Sequence, residues 1–167
     1  MIPSYANFGG KIHGGILLSL MDKVAYATAT KHSGAYCVTV SVDNVDFLQP
    51  VEVGDLVSML ASVNYVGNSS MIIGIKVIAE NVKTGLVKHT NTSYFTMVAK
   101  NEDGRLETVP KLILETKEDV RRFAEALRRK ELKKRYQERM EAEKSVFTID
   151  KQKELIENQR CEVMMEE

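Results

Sequence analysis

The sequence predicts an α+β fold, with one mostly buried helix packed on a long antiparallel sheet. Three observations carry this expectation. A helix-period segment at residues 14–32 is apolar nearly all round, four strand-like runs follow it with glycine-bearing turns between them, and the chain then changes composition to a charge-rich helical stretch.

Taken in order, residues 1–5 have room only for the end of a strand, since Pro3 is tolerated at a strand end or edge. In the helix, Ile16, Leu17, Leu18, Leu20, Met21, Val24, Ala25, Ala27 and Ala29 cover most of the circumference. Ser19, Asp22, Lys23, Tyr26 and Thr30 follow the three-and-four spacing and leave one narrow polar stripe. Gly34 is placed to end the helix. The strand-like runs are residues 36–48, 56–66, 69–80 and 86–100, and their short turns imply an antiparallel meander. Residues 116–144, rich in Glu, Lys, Arg, Ala and Leu, read as a helix, and residues 145–167 as an acidic tail that is frayed or holds a short helix at 151–159. The expected divisions are therefore 1–112 for the α+β domain, 113–144 for the basic helix and 145–167 for the tail.

The charge distribution narrows the function classes. Residues 1–114 carry nine Lys or Arg and nine Asp or Glu, residues 115–144 carry eleven and eight, and residues 145–167 carry three and six. A neutral body argues against a general nucleic-acid binder. Cys37 and Cys161 have no ligand spacing, and three dispersed histidines make no zinc site, so no metal and no cofactor are expected. There is no signal-peptide pattern, and the longest apolar stretch is interrupted by Ser19, Asp22 and Lys23, so the expected location is cytoplasmic and off the membrane.

The chemistry concentrates in Asn7-Phe8-Gly9-Gly10-Lys11-Ile12-His13-Gly14-Gly15 and the helix that follows. Glycines let the backbone turn tightly and approach a ligand, and a helix start offers free N–H groups and a positive dipole end. Asp22 lies about two turns into the helix. A carboxylate on so apolar a helix needs an explanation, and one is that it activates a water or attacks a carbonyl held at the helix start. Asn7 is a neutral donor and acceptor suited to holding a water or an acyl group, or simply to bracing a turn. His13 is a loop brace or a general base near neutral pH. Gly67-Asn68-Ser69-Ser70 is a hairpin turn or a phosphate contact, and Arg128-Arg129-Lys130 is a solvated helix face or a set of phosphate ligands.

These residues carry a resemblance. Asn7-x-x-Gly10-x-x-His13-Gly14-Gly15 followed by Leu20-Met21-Asp22 resembles the signature of hotdog-fold acyl-CoA thioesterases, the cytosolic acyl-CoA hydrolases and related bacterial short-chain enzymes. The likeness continues in Cys37 to Asp43, Phe47-Leu48-Gln49-Pro50-Val51, Val53-Gly54-Asp55, Ser69-Ser70-Met71 and Phe95 to Ala99. It implies a helix wrapped by an antiparallel sheet, joined to a second copy as a dimer and often assembled as a trimer of dimers. It implies hydrolysis of acyl-CoA thioesters to a free acid and CoA at the dimer interface, as part of fatty-acid metabolism. Asp22 matches the catalytic carboxylate, Asn7 a position supplied from the facing subunit, and Gly14 and Gly15 the helix-start amides that polarise the thioester carbonyl. Val40, Ser41 and Val42, with Ser69, Ser70 and Met71, match segments lining a CoA channel, and Arg128 and Arg129 match a run that approaches CoA phosphate. Two rival readings stand beside this one. A hotdog enoyl-CoA hydratase or dehydratase also places a histidine ahead of the helix and an acid within it, and a non-enzymatic acyl-CoA sensor would use the basic helix as a partner surface.

Overall fold

The computed structural model describes residues 1–146 and 148–164, apart from the side chains at positions 150 and 151. The end of the acidic tail, 165–167, lies outside the described residues. Two compact units divide the chain, Met1–Ala126 and Leu127–Glu167.

The first unit has the expected α+β architecture. Helix α1 spans Gly14–Ser33, and the strands are β1, Tyr36–Val42; β2, Leu56–Val66; β3, Ser70–Glu80; and β4, Val87–Lys100. All neighbouring pairs are antiparallel and the strand order is β1-β4-β3-β2. Helix α1 ends as the sequence predicts, with Gly34 at φ 68° and its N–H donated to Thr30 O. A left-handed residue is most easily a glycine.

The sheet buries alternate residues against the helix. Met71, Ile73, Ile75 and Val77 of β3 and Phe95, Met97 and Ala99 of β4 meet Met21, Ala25 and Ala29 of α1 in one fully buried cluster. Period-two burial on β4 follows the strand pattern, whereas α1, apolar nearly all round in sequence and expected to be mostly buried, buries only Leu17, Met21, Ala25 and Ala29 in this chain and leaves Leu18 and Ala27 exposed. Small side chains at Ala25 and Ala29 let the helix seat close to the sheet. A second cluster of Ile12, Leu17, Val51 and Ala79 ties the N-terminal loop to the same core.

Two expectations about the strands need correction. Residues 1–5 do not form a strand end: Pro3–Tyr5 is a single 3-10 turn, consistent with the fixed φ of proline at its start. A narrow pairing comes immediately after it, with Ala6 opposite Ile12. The second correction concerns β1, which stops at Val42 rather than residue 48 and does not pair with β2. Only β2, β3 and β4 form a meander. Strand β1 lies across β4 at the sheet edge, and the connection after it bonds elsewhere: Leu48 N–H donates to Thr90 O at 2.8 Å, and Ile12 N–H donates to Val51 O at 2.8 Å. That segment therefore clamps the glycine loop instead of extending a ladder.

Three bulges bend the sheet. The register slips at Val40 on β1, at Asn64 on β2 and at Thr90 on β4. Such an extra residue increases local twist and re-aims its neighbours. At the β4 bulge, Thr90 is fully buried and its hydroxyl donates to Val77 O at 3.1 Å.

The mouth of β2 is held by Asp55, which is 2% exposed. Its carboxylate accepts from Glu52 N–H at 3.0 Å and faces Lys88 Nζ at 3.3 Å. Removing this carboxylate leaves a partly buried amide and a half-buried ammonium without their acceptor. Asp55→Ala should therefore cost about 2 kcal/mol, read as a lower urea midpoint with an unchanged m-value.

Helix α2, Lys117–Ser145, begins in the first unit and ends in the second. Its start is a capping pair: Thr116 Oγ1 accepts from Asp119 N–H at 3.1 Å, and Asp119 Oδ2 accepts from Thr116 N–H at 3.0 Å. Hydrogen bonds from Arg121 hold the Glu118 carboxyl down to about 2. Within the first unit, the Phe123 ring packs at a 45° tilt against Tyr65 of the sheet, with centroids 5.2 Å apart. The second unit contains the rest of α2 and a short helix α3, Ile149–Ile156, which starts and ends slightly earlier than the predicted 151–159. Among the described residues, no helix is long and apolar enough to cross a membrane.

Candidate active site

The glycine loop is folded by its own asparagine. Asn7 Oδ1 accepts from Gly9 N–H at 2.9 Å and from Lys11 N–H at 3.1 Å. An asparagine braces a turn in this way because its carbonyl mimics a backbone acceptor two residues on. Gly10 then turns the chain at φ 74°. The result places Phe8 at the loop tip, fully exposed, with the loop's bonds to the Asn7 side chain made through Oδ1.

His13 is the N-cap of α1. Its Nδ1 accepts from Gly15 N–H at 2.9 Å, so the ring is the tautomer protonated on Nε2. The bond occupies one of the two amides that the sequence offers for a carbonyl. Ile16 N–H donates to His13 O at 3.0 Å, so the amide of Gly14 is the one left at the helix mouth. Both glycines sit tightly against neighbouring rings. A Cβ on Gly14 would meet the Phe47 ring at 3.2 Å, and one on Gly15 would meet the His13 ring at 3.0 Å. Removing the cap by His13→Ala should lower stability by about 1 kcal/mol, a fall in Tm of about 2–4 °C in a thermal melt.

Asp22 sits on the polar stripe of α1, half-buried between the helix and the edge strand β1. Thr39 Oγ1 donates to Asp22 Oδ1 at 2.6 Å. With one carboxylate oxygen held, the other is free to accept from a water or to approach a carbonyl carbon. The pair opens on a cleft of about 340 Å³, whose walls include Tyr26 of α1 and Tyr36, Cys37 and Val38 of β1. Thr39 is the residue that reading the chain for reactive groups passes over. The signal was present: Cys37 and Thr39 alternate onto the helix-facing side of β1, and a hydroxyl there needs a polar partner on the helix.

The other expected site residues are dispersed. Asn7 lies on the loop before α1 and makes its bonds within that loop. Val40 and Val42 are exposed on β1, with Ser41 half-buried between them. Ser69, Ser70 and Met71 lie two strands inward, because Met71 pairs with Met97, which pairs with Thr39. Met71 is fully buried in the core, so its side chain cannot line a channel, and only the half-buried Ser69 and Ser70 remain available there. Arg128 and Arg129 are exposed on the part of α2 that belongs to the second unit.

Comparison with known proteins places this geometry in a family. Residues 9–86 match the thioesterase superfamily model. The protein VdlD of Helicobacter pylori is 48% identical over 135 residues, 81% of this chain and 77% of its own length. The structure of an apo hexameric acyl-CoA thioesterase superposes with a TM-score of 0.79 at 36% identity, covering 81% of this chain and 87% of that one. An acyl-CoA hydrolase from Staphylococcus aureus, solved in complex with butyryl coenzyme A, coenzyme A and coenzyme A disulfide, superposes with a TM-score of 0.75 at 32% identity, covering 87% and 88%. That hydrolase was also solved with single asparagine, aspartate and threonine residues replaced by alanine. Its asparagine precedes the aspartate by fifteen positions and its threonine follows by seventeen. Asn7, Asp22 and Thr39 have the same two separations.

Proposed function

The chain belongs to the thioesterase superfamily, and from that membership we propose that it hydrolyses acyl-CoA thioesters to a free carboxylic acid and CoA, with Asp22 as the reacting carboxylate. The observation that carries the reading is the Asp22–Thr39 pair on a cleft wall, two helical turns from an unoccupied helix-start amide. The thioester carbonyl points at the start of α1, where Gly14 N–H stabilises the developing oxyanion. Gly15 N–H is a weaker candidate than the sequence suggested, because His13 holds it. His13 thus works as a brace that fixes the helix mouth.

Thr39 holds one oxygen of Asp22 and so orients the other. The carboxylate either takes a proton from a water that adds to the carbonyl carbon, or adds to that carbon itself to give an anhydride that water then opens. In both routes the carbon–sulfur bond breaks, CoA leaves as the thiol, and one water is consumed. Neither route calls on a metal or an organic cofactor.

The site is completed by a second copy of this chain. Asn7 braces its own loop through its carbonyl, and its amide group is available to a neighbouring subunit. The exposed Phe8 beside it and the unpaired edge of β1, with Val40 and Val42 exposed, are apolar features suited to burial against that copy. Val40 to Val42 and Ser69 to Ser70 then contact CoA across the interface. The test is CoA release followed with a thiol-reactive dye on acyl-CoA substrates, read beside native mass. No CoA release from any acyl chain length, by a folded oligomer, would overturn the reading.

A further inference from the structure

The outer face of the sheet, turned away from α1, departs from regular strand structure in three ways at one point. Strand β2 bulges at Asn64, β3 has Gly74 near its centre, and the Asn64 carboxamide is buried between them. Each feature alone costs stability: the bulge breaks the ladder, a strand glycine has no side chain to pack, and a buried amide needs partners. Here they fit one another. Asn64 is 6% exposed, and a Cβ on Gly74 would come within 2.4 Å of its Nδ2, so the glycine lets the amide lie on the sheet. The amide is oriented from its other end. The Arg122 guanidinium of α2 can only donate, and it reaches Ser62 Oγ at 3.5 Å. The Ser62 proton therefore goes to Asn64 Oδ1, at 2.8 Å. Asn64 Nδ2 has no hydrogen-bond partner among the described residues, and it opens on a cavity of about 360 Å³.

We propose that this cavity binds a small carboxylate, the chemical class that the proposed hydrolysis releases. The strand registers set Ser62, Gly74 and Tyr94 in one cross-strand row and Leu60, Lys76 and Thr92 in the next. Donors converge there: the Asn64 amide, the Lys76 ammonium, which has no ion partner among the described residues, and the guanidinium groups of Arg121 and Arg122. Glu118 pairs with both arginines and Glu125 with Arg121, so three cations stand against two carboxylates and one positive charge is left over. That balance suits a monoanion better than a phosphate ester, which carries nearly two charges. Leu60, which is exposed, and the Tyr94 ring flank the cavity with apolar surface for a short hydrocarbon body. The site is separate from Asp22. Gly74 faces outward between Ile73 and Ile75, which point into the cluster with Met21 on the opposite side of the sheet. These groups alone select the ligand class; only the link to the product rests on the thioesterase reading of Asp22.

The test follows trifluorobutyrate by fluorine NMR line broadening on the intact protein, with trifluorobutyramide as the uncharged comparator. The wild type should bind the carboxylate saturably and the amide about tenfold more weakly or worse, the weight of charge-assisted contacts. Asn64→Leu, Gly74→Ala and Lys76→Met should each weaken carboxylate binding about tenfold or more. Asp22→Asn should bind it as the wild type does, which separates this cavity from the cleft beside Asp22. The site is overturned by an absence of saturable binding, by equal binding of the amide, or by unchanged carboxylate binding in folded Asn64→Leu and Lys76→Met. Displacement by inorganic phosphate more readily than by butyrate would overturn the ligand class. If Asn64→Leu or Gly74→Ala does not fold, Lys76→Met lies at an exposed position and the same measurement decides. Turnover does not enter the readout. Absent CoA release with Asn64-dependent binding removes only the link to the product, whereas normal CoA release without that binding removes only the site.

Discussion

Asp22→Ala should leave the protein folded and reduce CoA release by about 10³-fold or more. The structural half of this expectation follows from where Asp22 sits. The core-facing residues of α1 are Met21, Ala25 and Ala29, all fully buried, whereas Asp22 is half-buried on the adjoining stripe and bonded to Thr39. Truncating it opens the cleft without hollowing the core. The chemical half follows from the absence of a substitute on the wall around it, where Thr39 is un-ionised and Lys23 carries the wrong charge. Asp22→Asn sharpens the result, because the amide oxygen can still accept from Thr39 and the shape is kept. It should lose turnover to the same extent with an unchanged melting temperature. Thr39→Val removes the hydrogen bond that orients the carboxylate, together with a weaker contact to Met97 Sδ, so a loss of about tenfold in kcat is expected. If Asp22→Asn retained near wild-type turnover while folded, the carboxylate would have no part in the reaction.

The second large effect concerns which subunit owns which residue. Asn7→Ala and Asp22→Ala should each be nearly inactive alone, yet mixing the two after reversible dissociation should restore activity. In a mixed dimer, one site draws wild-type Asn7 from one copy and wild-type Asp22 from the other, while the second site lacks both. Random pairing of equal amounts gives mixed dimers half the time, so recovery should approach about a quarter of the wild-type rate. Activity that stays at the sum of the two parents would assign both residues to one chain. Asn7→Asp is a useful companion, since it keeps the loop-bracing oxygen that accepts from Gly9 and Lys11 but removes the amide donor.

The elements that the sequence makes legible are those with a clean period. Met71, Ile73, Ile75 and Val77 alternate along β3, and Met21, Ala25 and Ala29 recur along α1, so both elements and their shared core could be expected. The same alternation argues against Met71 as a channel residue, although the motif that contains it suggested that role. The stretch after Val42 has no period, because its amides bond to whichever backbone the sheet presents, and a valine-rich run hid the end of β1. The position of β1 beside β4 depends on a non-local pairing that local pattern does not encode. Within the site, Asp22 was legible as a charge without an excuse on an apolar helix. Thr39 was not, because threonine in a Val-Thr-Val run reads as ordinary strand composition. His13 was legible as a brace, but its capture of the Gly15 amide depends on a ring orientation that only coordinates reveal.

The close seating of α1 on small side chains has a consequence for how this protein can change over generations. Met21 and Asp22 are consecutive, so the residue that anchors the helix and the residue that reacts move as one body. Enlarging Ala25 or Ala29 would lift α1 and open the Asp22–Thr39 hydrogen bond with it. Lineages are therefore not free to repack this interior neutrally, and drift at two buried alanines would be recorded first as a change in turnover.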